Sequence, residues 1–413
     1  MMTFDGRKTL GMRFGTARLS AALAKAGFVG KTRYVHVAGT NGKGSVCRMA
    51  ASIVAAAGYR AGLFTSPSVT GLYDDITVND AAIPPADFSR LTDRLAAVEQ
   101  ADDPLSYFEM ETGVALLYFD EQRVDVAVIE CGLGGRDDAT NVIPAPVAAV
   151  ITAVSLDHTD LLGDTVAQIT ENKCGIIKPP CAVITSPSQH PDALEIILMT
   201  AAEKGLTVHM PAAATDLAQT AEKLTFSAGG ERYALPVGGA YQADNAMLAI
   251  EMARVLTQNG LKISDGAIRN GLRDTAFPCR QEWISRTPVR LMDGGHNPAA
   301  VIALADSLSA WKLPPMTAVI GMLADKDVTA AVSILAPHVE RVICCTPPNP
   351  RALPADKLAA LFRAVGVEAN AIADPIAAWN AAEEIAGVSP LMVAGSFYLC
   401  AAIRPHLCEK YKN

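Results

Sequence analysis

The sequence predicts an α/β protein with two sheet domains, the first parallel-rich and carrying a small β-layer, the second smaller. Three observations carry this. Short apolar, β-branched runs alternate with amphipathic stretches along most of the chain. A segment of different character, about 206–240, interrupts them. A fresh α/β run then begins near residue 288. The length of 413 residues exceeds one ordinary core, and a hydrophobic fraction of 50% can fill two.

Residues 34–38, 124–129, 147–154 and 182–185 are apolar on both faces, as strands of a helix-covered parallel sheet must be. Residues 45–57 read as a helix, and Gly58 fits its stop. Within 206–240, residues 224–227 and 232–235 flank Gly229-Gly230 as a hairpin. Helical periodicity returns over 244–256 and 264–272. Strands are expected again at 289–292, 317–321, 341–344 and 391–394. The division is therefore 1–280, a connector or hinge at 281–287, and 288–413.

The net charge of −8 contains no long basic run. That argues against a nucleic-acid partner. No apolar stretch of membrane-spanning length or secretory leader is read, so a cytoplasmic location is expected. Nine cysteines without Cys-x-x-Cys spacing read as reduced thiols.

The strongest chemical signal follows the first strand, at Gly39-Thr40-Asn41-Gly42-Lys43-Gly44-Ser45. Glycines let the backbone wrap an anion and present N–H donors. The next helix aims its positive end at the same place. Lys43 can reach terminal phosphates and Ser45 a Mg2+ ion. The spacing from Gly39 to Lys43 is shorter than in the usual phosphate loop, and a lysine has no task in a dinucleotide fingerprint. Glu130 ends the second long strand before a glycine-rich run, where a carboxylate can hold Mg2+ near a nucleotide. His158 follows the third strand. Alone it is as readily structural as metal-binding. Spacing by itself does not single out Lys173.

Taken together the motifs resemble the folylpolyglutamate synthase/dihydrofolate synthase family of the Mur ligase superfamily. The resemblance runs through 36–45, Thr65-Ser66-Pro67, Tyr107-Phe108-Glu109, 130–141, Asp157-His158-Thr159-Asp160, Lys173, and Pro278 with Arg280. It continues in 293–298, 321–327 and 394–398, in family order. It implies a Mur-ligase-type ATPase domain and a Rossmann-like C-terminal domain. It also implies an ATP-dependent amide ligase that adds L-glutamate to tetrahydrofolate through an acyl phosphate. Dihydropteroate is a second acceptor in bifunctional members.

By the same resemblance, residues 42–45 cradle phosphates, and Ser66, Glu130 and His158 hold Mg2+, two ions in all. Lys173 becomes carbamylated by CO2, a step that needs a neutral amine. Asn245 contacts adenine, while Arg280, Asp293 and His296 close over the nucleotide. Ser106, Tyr107, Phe108, Glu109, Asp137, Asp138 and Ala139 line the folate site. The expected form is a monomer. Three segments depart from the family pattern: Ser68 replaces a histidine, Asn172-Lys173-Cys174 replaces Glu-Lys-Ala, and Tyr241 replaces a histidine. Two other readings stay open, a Mur-type ligase for another carboxylate and a phosphate-loop NTPase without ligase chemistry.

Overall fold

A computed structural model describes residues 3–411 except Leu72 and Pro187. The first sheet holds β1 (Arg33–Ala38), β2 (Ala61–Phe64), β3 (Ile76–Val78), β4 (Ala81–Ala82), β5 (Val126–Glu130), β6 (Ala148–Ile151), β7 (Ala182–Thr185) and β8 (Val208–His209). Their order is β4-β3-β2-β5-β1-β6-β7-β8. Strands β2, β5, β1, β6, β7 and β8 run parallel, and β3 and β4 return antiparallel. The β3–β4 hairpin turns on Asn79 and Asp80, both at positive φ. These are residue types that tolerate the left-handed region.

Side chains alternate across β1, so Val35 and Val37 point to one core while Tyr34 points to another. On the first face pack helices Lys43–Ala56, Tyr241–Gln258 and Asp265–Asp274. The expected hairpin joins them. It is part of a three-stranded antiparallel layer of β9 (Thr215–Gln219), β10 (Leu224–Ala228) and β11 (Glu231–Leu235). Leu224, Phe226, Tyr233 and Leu235 bury their side chains in that same core. The opposite face is covered by helices that include Pro85–Ala96 and Tyr107–Glu121.

The second sheet holds β12 (Glu282–Arg286), β13 (Val289–Asp293), β14 (Met316–Ile320), β15 (Val339–Cys344), β16 (Glu368–Ala371) and β17 (Leu391–Ala394). Their order is β12-β13-β17-β14-β15-β16, parallel except for β12. Helices cover both faces with separate cores.

The open connector expected at 281–287 needs correction. Most of it is β12, hydrogen-bonded to β13 from Glu282 to Arg286. The chain crosses earlier, since Phe277 lies in the first domain's core and Cys279 in the second's. That crossing is pinned. The Cys279 N–H donates to Glu282 at 2.8 Å and the Gly294 N–H to the Cys279 carbonyl at 2.7 Å. Glu282 also takes Arg404 bidentately.

Candidate active site

Register brings the loops after three strands together. Glu130 pairs in register with Val37, and Ile151 with Ala38, so β5, β1 and β6 end side by side. Ligands of open α/β sheets bind at such ends.

The loop after β1 is shaped by two glycines. Gly42 has φ +90, and a Cβ there would stand 2.3 Å from Asn245 Oδ1. At Gly39, φ +155, a Cβ would overlap Thr152 Oγ1 at 1.8 Å. Only glycine lets the loop close this tightly. Its N–H groups start the Lys43–Ala56 helix. Asn245 Nδ2 donates to Gln242 Oε1 at 2.9 Å, and Gln242 Nε2 to Ser45 Oγ at 3.2 Å. The amide of Asn245 therefore sits on the phosphate loop itself.

Two lysines face this loop. Lys43 Nζ donates to the carbonyls of Gly39 at 3.2 Å and Thr40 at 3.3 Å. Lys173 Nζ donates to the same Gly39 carbonyl at 2.9 Å. Lys173 is 4% exposed. Burial, aided by the nearby charge of Lys43, lowers its pKa to about 7. The Lys173 stem comes from the helix Val166–Lys173, whose start carries a Thr165/Gln168 capping box.

Glu130 is buried, contrary to a solvent-facing strand end. Its Oε2 accepts the Ser66 N–H at 3.2 Å. Burial raises its pKa, opposed first by Lys43 and then by Arg280. A Cβ on Gly44 would lie 2.8 Å from Arg280 Nη2 and 3.2 Å from Glu130 Oε2. Phosphate loop, carboxylate and guanidinium thus share one corner. It opens into a small pocket that also reaches Arg48, Pro67 and Phe397.

His158, at φ +51, precedes a short helix, and its pKa falls to about 4 through burial. Its ring is neutral, with a lone pair available to a metal. Among the described residues no group of three His, Cys, Asp or Glu gathers as a metal cage. A Mg2+ ion held by one or two protein groups, phosphate oxygens and water needs none. The hard oxygens of Glu130 and Ser66 fit such an ion.

The second domain closes the opposite wall. Asp293 accepts N–H groups of Gln281 at 2.9 Å and Gly295 at 2.7 Å. Burial lifts its pKa to about 6. Arg280 lies over the Phe397 ring at 4.7 Å, and His296 meets that ring edge-on at 5.7 Å. Sequence reasoning missed the direct bridges between domains. Asn297 Nδ2 donates to Asn41 Oδ1 at 3.0 Å. Lys326 Nζ donates to Asp157 Oδ1 at 2.7 Å, with side chains only 5% and 11% exposed.

The residues expected along the acceptor divide into two groups. Phe108 stacks on Phe64 at 5.9 Å near Gly132, and Ala139 is buried next to Asp138. The others already have protein partners. Ser106 and Glu109 form a helix capping box, and Glu109 also pairs with Arg18. Tyr107 packs against Phe4 at 4.4 Å. The Asp138 carboxylate accepts the N–H groups of Leu133 at 2.7 Å and Thr140 at 3.0 Å. Asp137 is exposed, and its carbonyl holds the Gly15 N–H at 2.9 Å.

Known proteins share this architecture. Residues 37–253 match the Mur ligase middle domain and residues 279–397 the Mur ligase glutamate ligase domain. Folylpolyglutamate synthase of Lacticaseibacillus casei is 34% identical over 91% of this chain and 90% of its own. Dihydrofolate synthase/folylpolyglutamate synthase of Escherichia coli is 34% identical over 94% and 90%. A bifunctional folylpolyglutamate synthase/dihydrofolate synthase solved with Mn, AMPPNP and L-glutamate superposes with a TM-score of 0.83. It is 30% identical and covers 97% of this chain and 96% of its own.

Proposed function

The chain belongs to the folylpolyglutamate synthase/dihydrofolate synthase family of Mur ligases, and from that premise we propose that it joins L-glutamate to a folate at the expense of ATP, releasing ADP and phosphate. The observation that carries the reading is the shared corner of the Gly39–Ser45 loop, Lys43 and buried Glu130, faced by a second domain. Tetrahydrofolate is the acceptor, with dihydropteroate as a second one, as the bifunctional names of the relatives support.

A carboxylate is a poor acyl donor, because oxide is a poor leaving group. Its oxygen attacks the γ-phosphorus of ATP, the bond to ADP breaks, and an acyl phosphate forms. Lys43 and the loop N–H groups neutralise charge on the transferring group. The α-amine of glutamate then attacks the acyl carbon, loses its proton, and phosphate departs. Asn245 is assigned to the adenine side. Arg280, Asp293 and His296 cover the nucleotide from the second domain and exclude water from the acyl phosphate. Phe108, Asp138 and Ala139 lie on the acceptor side.

Glu130, Ser66 and His158 are the residues to hold two Mg2+ ions, which supply charge neutralisation on the phosphates when bound. Lys173, whose burial favours the neutral amine, can add CO2 to give a carbamate and a proton. That turns a buried cation into an anion suited to a metal. Both cleft walls come from one chain, which supports a monomer.

Phosphate release with ATP, glutamate and either tetrahydrofolate or dihydropteroate tests the reading. Release that needs glutamate and an acceptor is expected, and Lys43→Ala or Glu130→Ala should lower it by roughly 100-fold or more. Release without any acceptor would point to a plain NTPase. Silence with both folates would point to another carboxylate.

A further inference from the structure

The pocket beside Glu130 contains one guanidinium, that of Arg48, which the chemistry above leaves unassigned. Arg48 lies one turn beyond Gly44 on the Lys43–Ala56 helix, so the two share a face. Arg280 enters from the chain crossing, and Thr65, Ser66 and Pro67 form the far wall. Among the described residues the Arg48 guanidinium closes no ion pair and donates no hydrogen bond, while that of Arg280 has the Phe397 ring as its contact. Glu130, Asp74 and Asp80 are the nearby acids, and each offsets part of the Arg48 charge without closing an ion pair to it. Glu130 accepts from Ser66, and Asp74 is held by the hydroxyls of Ser68 and Thr70. Burial, then the like charge of Arg280, still disfavours a charged Arg48, a cost that a hydrogen-bonded anion would relieve.

The position of the pocket indicates which anion. Thr65 follows Phe64 at the end of β2, and the Phe64 ring stacks on Phe108 of the acceptor side. The cation on the other side of the cleft, Lys326, is already paired with Asp157. The Arg48 guanidinium therefore lies between the acceptor wall and the activating centre.

We propose that Arg48 binds the α-carboxylate of a glutamyl residue already present on the acceptor while its γ-carboxylate is activated beside Lys43. This rests on the folate reading above. Three carbons separate the two carboxyl groups of a glutamyl residue, so anchoring one fixes the reach of the other. A guanidinium is planar and takes a carboxylate bidentately, which adds geometry to charge. An acceptor without a glutamyl residue offers nothing to this pocket. It thus favours chain elongation over the first addition.

The test compares tetrahydrofolate with its α-carboxamide, which keeps the γ-carboxylate, in steady-state glutamate addition by the full-length protein. The wild type is expected to prefer the acid by roughly 10-fold or more in kcat/KM, mainly through KM. Arg48→Gln keeps a polar stem but no charge and should shrink that preference to about 2-fold. Arg48→Lys, which guards against a folding failure of the first variant, should retain an intermediate preference. A wild type indifferent to the amide, or an Arg48→Gln protein with the full preference, overturns the assignment. If the wild type ligates neither acceptor, the folate reading itself falls, and the assignment with it.

Discussion

Lys43 and Lys173 converge on a single acceptor, the carbonyl oxygen of Gly39, at 3.2 and 2.9 Å. Two ammonium groups so close cannot both be comfortable, and the buried one yields. Lys173, pushed to about 7, is the amine that is free to react.

The carbamate proposed on Lys173 predicts a CO2 dependence. Enzyme stripped of CO2 near pH 7.5 should lose most of its rate and regain it with bicarbonate. Lys173→Ala should be inactive with or without bicarbonate. Stability has its own sign. The native pKa lies below the unfolded value, so between about 7 and 10.5 the unfolded chain binds more protons. For the CO2-free protein, this group makes stability rise with pH through that window, and Lys173→Met should remove that rise in thermal melts. A melt series with unchanged slope would count against a neutral Lys173.

Asp75 and Glu111 form a buried acidic pair outside the Gly39–Ser45 corner. Their carboxyl groups lie close together, with Tyr107, Asp74 and Lys8 as neighbours. Burial, then mutual repulsion, holds Glu111 well above the usual carboxylate range, and burial raises Asp75. The native state keeps protons that the unfolded chain has lost. This stabilisation is complete below the ordinary carboxylate values and fades as pH rises through the raised ones. Glu111→Gln supplies a permanent N–H donor. Its melting temperature relative to wild type should climb from pH 5 to pH 9, and a constant offset would refute the retained proton.

The phosphate loop was legible in the sequence because its chemistry is contiguous: strand, glycines, Lys43 and helix lie within one short run. Glu130 was legible for the same reason, standing at a strand end before glycines. Arg48 was not, because on a helix it looks like any solvated arginine, and only the fold brings Arg280 and Ser66 to it. Asp157 and Lys326 are 169 residues apart, so no local pattern could join them. β12 was read as a connector because its register with β13 slips between Trp283 and Ser285, which blurs the alternation that marks a strand. Ser106 and Glu109 carried a signal that had two meanings. Ser-x-x-Glu is a capping box, and the structure uses it as one.

Gly42→Ala probes the loop geometry. The new methyl group would meet Asn245 Oδ1 at 2.3 Å, on a backbone with φ +90. Left-handed strain costs about 1–2 kcal/mol for alanine. The loop and the Asn245–Gln242–Ser45 chain must shift together. The KM for ATP should rise by roughly 10-fold or more, with a fall in melting temperature of only a few degrees. Nucleotide titrations that match wild type would contradict a loop held open by glycine.

The Asp157–Lys326 pair should control closure more than folding. Each domain has its own core, so losing a contact between them leaves both intact. Removing one partner of a well-buried pair costs on the order of 3–5 kcal/mol, because the other charge is left unpaired. Here that cost falls on the closed arrangement, in which Asn297 also reaches Asp157 at 3.4 Å and Asn41 at 3.0 Å. Asp157→Asn or Lys326→Met should enlarge the radius of gyration in small-angle scattering with nucleotide and substrates present. Each should also lower kcat by about 10- to 100-fold while melting changes little. The double variant should be no worse than the more damaging single one, since both remove the same contact. Additive losses, or scattering curves that overlay with wild type, would mean that Asp157 and Lys326 act separately on the reacting groups and that closure is governed elsewhere.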